Sequence, residues 1–150
     1  MTFCTFDTNV LVYTVPGNDA GKHSRSRELL IRAARNNAAI LLLQTLGEFS
    51  NVAARKLKMN VAGIRRRVND WRAVFVSVAA VESDLNAALD LVAQHRISFW
   101  DAMLCATASR AGIAYLLSED LQDGMRFGAL TILNPFDAAN DRVIDRVLPP

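Results

Sequence analysis

A short apolar run, Phe3 to Phe6, ends on a carboxylate: Asp7 follows it, then Thr8 and Asn9, and apolar residues resume to Tyr13. A hydrophobic segment that stops on an acid and then on small polar residues reads as a buried strand meeting a helix N-terminus. Such a junction puts a carboxylate at the carboxyl edge of a sheet, where open α/β folds bind ligands. The rest of the chain has to supply that sheet, and to decide whether Asp7 stands alone.

The pattern downstream supplies it. Thr2 to Phe6 reads as a strand, Thr8 to Tyr13 as a short helix or turn, and Pro16 to Asp19 as a loop. Helices are predicted over Lys22–Asn37, Thr45–Leu57, Val61–Val74 and Glu82–His95, the last with Leu85, Leu89 and Val92 at helical spacing. A further helix starts at Ser98 to Asp101 and ends at Gly112, a good C-cap. Strands are predicted at Ala38–Leu43, Phe75–Val78, Ile113–Leu117 and Leu130–Leu133. Ser118 to Gly124 is a turn-rich loop, and Ala138–Val147 a short terminal helix. Strands separated by helices argue for a parallel sheet covered on both faces. Right-handed crossovers then put every strand C-terminus on one edge. At 150 residues this is one domain, with a core over about residues 2–134 and a tail over 135–150.

Composition excludes several classes. No run of 18 or more apolar residues suggests a membrane span. The N-terminus has no Lys or Arg before Lys22 and is broken by Asp7, unlike a signal peptide. Cys4 and Cys105 sit in apolar surroundings and read as reduced, buried thiols of a cytoplasmic protein. No cysteine–histidine cluster suits structural zinc. The net charge of +2 hides an asymmetry: Lys22 to Arg72 holds twelve basic and three acidic residues, and the remainder five basic and twelve acidic. A basic region beside an acid-rich one suits a polyanion near a metal centre, and equally a solvated helix face.

Three more acids map to the edge that carries Asp7. Glu48 lies in the first turn of the helix after the second strand, Asp120 follows the fourth strand, and Asp101 opens the helix that leads back to that strand. Each has a plain structural reading. Asp7 can be an N-cap, Thr45 with Glu48 and Ser98 with Asp101 can form capping boxes, and Asp120 can be a turn acid. Together they are harder to dismiss. Two carboxylates about 5 Å apart repel by roughly 3 kcal/mol at an effective dielectric near 20. Four need either solvent or a cation. An all-oxygen cluster without His or Cys suits a hard ion such as Mg²⁺, which activates water and stabilises charge on a phosphodiester in transfer. Asp7 can cap a helix and hold a metal through different oxygens.

The segments Asp7–Tyr13, Gln44–Glu48, Phe99–Ala108 and Leu117–Gly124 resemble the acidic motifs of the PIN-domain family, and within it the VapC-type toxins of toxin–antitoxin pairs. The resemblance runs from about Thr2 to Asn134. It implies a three-layer α/β/α sandwich around a five-stranded, mostly parallel sheet. It also implies endoribonuclease activity dependent on one or two Mg²⁺ or Mn²⁺ ions, a homodimer, an RNA substrate and a cognate antitoxin. Asp7, Glu48, Asp101 and Asp120 are then the catalytic, metal-binding acids, and Ser118 orders water or the acids around it. Asp123 sits where a further acid often occurs. Here it is followed by Gly124, where many relatives carry an aromatic residue.

Other residues have two readings. Arg55, Lys56, Lys58, Arg65, Arg66 and Arg67, with Arg72, form an RNA track or a solvated face. Arg25, Arg27 and Arg32 could instead face an antitoxin's acids. Trp71 and Trp100 can stack on bases, although packing in the core or a dimer is the first reading. His23 and His95 stand apart from the acids, and Glu119 is expected to point to solvent. Two rival functions are a PIN-like module that binds RNA or a partner without cutting, and a phosphatase with an aspartate nucleophile. The second wants an Asp where Asn9 stands.

Overall fold

The computed structural model describes every residue except Asn18. The expected Pro16–Asp19 loop therefore lies partly outside the described residues. In chain order the elements are β1 (Phe3–Phe6), α1 (Thr8–Tyr13), α2 (Ala20–Asn36), β2 (Ile40–Leu42), α3 (Leu43–Arg55), α4 (Val61–Val74) and β3 (Val76–Val78). They continue with α5 (Glu82–Gln94), α6 (Phe99–Arg110), β4 (Ile113–Leu117), β5 (Arg126–Phe127), β6 (Leu130–Leu133), a 3₁₀ turn (Ala138–Asn140) and α7 (Asp141–Val147).

Alternation along the strands builds the layers. In a strand, successive side chains point to opposite faces. Leu41, Leu117 and Leu133 accordingly join a core with Leu11, Leu29, Phe49 and Trp71 of α1 to α4. Their neighbours Leu42, Leu116 and Ile132 join a second core with Leu104 and Cys105 of α6. The result is the expected α/β/α sandwich. β1 pairs parallel with β4, and β4 parallel with β6. The polypeptide therefore leaves β1 and β4 on the same edge.

The sheet departs from expectation in two ways. Its continuous ladder has four strands, ordered β1-β4-β6-β5, rather than five. β2 and β3 form a separate parallel pair, joined to β1 by a single bridge between Cys4 and Ala39, beside a 2.9 Å bond from the Cys4 N–H to the Ala38 carbonyl. The additional strand, β5, is two residues long and antiparallel to β6. Gly128, at φ 61°, makes the tight return between them.

Three local readings also change. α3 begins at Leu43, two residues before Thr45, so Glu48 lies in its second turn and has no capping role. α2 begins at Ala20, with the Asp19 carboxylate capping the Lys22 N–H at 3.0 Å. On α5 the buried residues are Asp84 and Ala88, while Leu85, Leu89 and Val92 face solvent. Helical spacing identifies a stripe and cannot say which side of the helix the sheet takes. Gly112 does end α6 region in the left-handed conformation, at φ 74°.

Candidate active site

Asp7 occupies the end of β1. Its N–H donates to the Leu117 carbonyl at 3.0 Å, which extends the β1–β4 ladder by one step and fixes the backbone. Its side chain does two jobs. One oxygen accepts the Thr8 N–H at 2.8 Å and caps α1; the other accepts the Ser118 hydroxyl at 2.6 Å. Ser118 is held in turn by its own N–H, which donates to the Leu133 carbonyl at 2.9 Å. The Ser118 oxygen then accepts the N–H groups of Asp120 and Leu121 at 3.2 and 3.3 Å. One buried hydroxyl thus ties the end of β1 to the loop that carries Asp120.

The α1 residues that follow Asp7 reach the other acids. The Thr8 hydroxyl donates to Glu48 at 2.6 Å, and the Gln44 amide donates to the other Glu48 oxygen at 2.8 Å. The same Gln44 nitrogen donates to the Trp100 carbonyl at 3.0 Å, linking α3 to the first turn of α6. The Asn9 amide donates to Asp120 at 2.6 Å. The Asp101 N–H is capped by the Ser98 hydroxyl at 3.2 Å. Among the described residues the Asp101 carboxylate makes no return bond, so the capping box is half-formed and its carboxylate is uncommitted.

Two of these acids, Asp7 and Asp120, are held where their charge is disfavoured. Burial raises the Asp7 carboxyl above its usual range; the Ser118 and Thr8 bonds oppose this, and the charges of Asp120 and Asp101 add to it. Asp120 is raised by burial and by the charges of Glu119 and Asp101, against Lys22 and Asn9. The Cys105 thiol is pushed up to about 12, first by burial, then by Asp101 and Asp7. The charges of Asp120 and Asp101 therefore reach Asp7, and the Thr8 hydroxyl ties Glu48 to the same corner. Among the described residues no three carboxylate, imidazole or thiol groups lie close enough to make a ready metal cage. The donor set still fits a magnesium-like ion. All its donors are oxygens, two of its carboxyls are destabilised as anions, and Mg²⁺ keeps several waters while using one or two carboxylates.

Several candidate residues lie elsewhere. Asp123 accepts the Asn134 N–H at 2.8 Å and the Asn140 amide at 2.9 Å, binding its loop to the end of β6. Glu119 does not point to solvent: it accepts the Tyr13 hydroxyl and the Lys22 ammonium, the latter at 2.6 Å. Arg25 and Arg32 are not free for a partner. Arg25 meets Asp141 and the Pro135 carbonyl, and the buried Arg32 meets Glu28 and Asp145, so both hold α7 against α2. Arg27 is exposed. Trp71 packs in the core, edge-on to Phe49 at 4.7 Å. Trp100 does not; it is 63% exposed. His23 bonds the Tyr13 carbonyl and His95 meets Phe127 edge to face, both apart from the acids.

The basic group is outward and unpaired. Arg55, Lys56, Lys58, Arg65, Arg66 and Arg72 are exposed, and among the described residues none forms an ion pair. Arg67 is half-buried, with its guanidinium 5.9 Å from the Trp71 ring centre.

Sequence reasoning missed Thr8, Asn9 and Gln44 as the groups that orient Glu48 and Asp120. Their signal was adjacency to the acids: two polar side chains directly after Asp7, and an amide four residues before Glu48 on one helix face.

A fold of this kind has known counterparts. The chain is similar to VapC20 of Mycobacterium tuberculosis, a sarcin–ricin loop cleaving toxin (TM-score 0.63, 18% identity, covering 78% of this chain and 91% of that one). It is similar to a toxin–antitoxin complex from Klebsiella pneumoniae (0.63, 16%, 89% and 98%). It also resembles the DNA-bound VapBC of Salmonella typhimurium (0.62, 14%, 88% and 97%). No curated protein matches the sequence significantly. The sequence model of the PIN domain matches residues 4–122, a span that contains Asp7, Glu48, Asp101 and Asp120. On that match, the chain belongs to the PIN domain family.

Proposed function

We propose that this protein is a divalent-metal-dependent endoribonuclease, the toxin of a toxin–antitoxin pair. The observation that carries the reading is geometric: at the carboxyl edge of β1 and β4 in a PIN fold, Ser118 ties Asp7 to the Asp120 backbone and Thr8 ties the same corner to Glu48. Asp7, Glu48, Asp101 and Asp120 would hold one or two Mg²⁺ or Mn²⁺ ions. When bound, such an ion supplies an activated water and neutralises charge on the phosphate in transfer. Ser118 keeps Asp7 and the Asp120 backbone in register, while Thr8, Gln44 and Asn9 hold Glu48 and Asp120 in fixed rotamers. The unpaired basic group that runs from the end of α3 into α4 suits the flanking phosphates of an RNA. Asp123 is assigned to its loop and not to the metal.

The structural neighbours include a sarcin–ricin loop cleaving toxin and toxin–antitoxin complexes, which supports an antitoxin as partner. The exposed apolar stripe on α5 supports a second copy of the chain. Among the described residues no helix is long and apolar enough to cross a membrane. One observation favours a second reading, a module that binds without cutting: among the described residues the acids do not form a closed cage. The phosphatase reading loses support, because Asn9 is spent on Asp120.

The test is RNA cleavage with Mg²⁺ or Mn²⁺, with and without EDTA, alongside Asp7→Asn. Cleavage that needs the metal and Asp7 is expected. Cleavage by Asp7→Asn at the wild-type rate would overturn the assignment. Metal binding by calorimetry without any cleavage would favour the second reading.

A further inference from the structure

Helix α6 is buried along most of its length: Ala102, Leu104, Cys105, Ala106, Thr107 and Ala108 all face inward. Trp100 is the exception on its first turn. Leaving a large aromatic ring in water forgoes a substantial hydrophobic gain, and nothing in the fold recovers it. The ring makes one aromatic contact, edge to face with Phe99 at 5.1 Å and 71°, and 63% of the residue remains exposed. Its backbone is not loose. The Trp100 carbonyl accepts from the same Gln44 nitrogen that donates to Glu48, and its chain neighbour is Asp101. An exposed aromatic surface is thus fixed relative to two of the proposed metal ligands. It shares the molecule with an unpaired basic group suited to a polyanion.

We infer that Trp100 is a stacking platform for an unpaired nucleobase beside the scissile phosphate. This rests on the nuclease reading for its function, though not for its binding step. Every base has a π-face, so such a platform is tolerant of sequence and selects for bases outside a duplex. It adds binding without touching the reacting atoms. Its loss therefore raises KM while kcat changes little.

The experiment is fluorescence titration of the full chain with a single-stranded oligoribonucleotide and with the same sequence as a duplex, without added divalent ion, followed by cleavage kinetics with Mg²⁺. Trp71 is buried in the core, so quenching on RNA binding reports on Trp100. Quenching is expected from the single strand only. Trp100→Ala should weaken binding roughly 5- to 150-fold, equivalent to about 1–3 kcal/mol at 1.4 kcal/mol per tenfold. Trp100→Phe should restore most of the affinity, and Trp100→Leu, apolar but without a π-face, should not. Wild-type affinity and KM in Trp100→Ala would overturn the inference. So would RNA binding that survives in Trp100→Ala while the chain's sedimentation shifts to a smaller species, because the ring would then be an interface between copies. Trp100-dependent quenching without any cleavage would sink the nuclease reading and leave the stacking platform standing.

Discussion

Asp7 is a carboxylate held where its charge is unwelcome, and the sign of that effect is testable. Its folded pKa is raised, so the folded state binds its proton more tightly than the unfolded chain does. At neutral pH the ionised group therefore costs stability. Asp7→Asn should raise the melting temperature, by roughly 2–4 °C for about 1 kcal/mol relieved in a chain of this size. The same variant should lose the stabilisation that Mg²⁺ gives the wild type, measured by calorimetric melting with and without the ion. Its cleavage should fall by more than the roughly 10–100-fold typical of a group one step removed from a metal. Ser118→Ala is predicted to behave differently. It strands the buried Leu121 N–H and the part-buried Asp120 N–H and should destabilise by about 1–3 kcal/mol in urea melts. Asp7 was legible in the sequence because an acid ending an apolar run has few explanations. The roles of Thr8 and Asn9 were not, because which acid each one reaches is set by the direction of α1 relative to α3 and β4. No local pattern encodes that direction.

Helices α5 and α6 are pinned by an ion pair that titrates the other way. Burial alone would raise the Asp84 carboxyl, but the Arg110 guanidinium at 2.9 Å and the Val81 N–H at 2.8 Å outweigh it and hold it below the usual range. A depressed carboxyl contributes stability above its unfolded pKa, near 3.9 for Asp, and loses it as pH falls through the folded value. Wild type should exceed Asp84→Asn in stability at neutral pH, by about 1 kcal/mol given the partly exposed arginine. The gap should close under acid, as measured by circular dichroism melts from pH 7 down to pH 2. Most helices were readable from period and caps, and Val61–Val74 and Glu82 onward held their starts. The misread start of α3 has a cause. Leu42 is a cap without a side-chain bond, so the chain turns from strand to helix with no polar signal. β5 escaped notice because two residues cannot show a period.

Across the whole molecule the charge asymmetry becomes geometry. The basic side chains of α3 and α4 face outward and unpaired, while Arg25 and Arg32, equally basic in sequence, are consumed inside by α7. Counting charges cannot separate these two groups; knowing which helix packs on which can. If the outward group contacts RNA phosphates, log affinity should fall linearly with log salt. Replacing Arg65, Arg66 and Arg67 with Ala should flatten that slope by about 2, at roughly 0.7 per single-strand phosphate contact. Filter binding from 50 to 300 mM KCl would measure it, and an unchanged slope would return these residues to the solvated face.

The lone Cys4–Ala39 bridge carries a different consequence. Two ladders stitched at one point can part without either losing its own hydrogen bonds, and cooperative opening tends to follow such joints. The amides of β2 and β3 should then trade protons for deuterium as a block, ahead of those in β4 and β6. Asp7 lies on one side of this joint and Glu48, carried on the helix after β2, on the other. A cation shared between them would act as a rivet across the joint, and loading the protein with metal should slow exchange in β2 and β3 in particular.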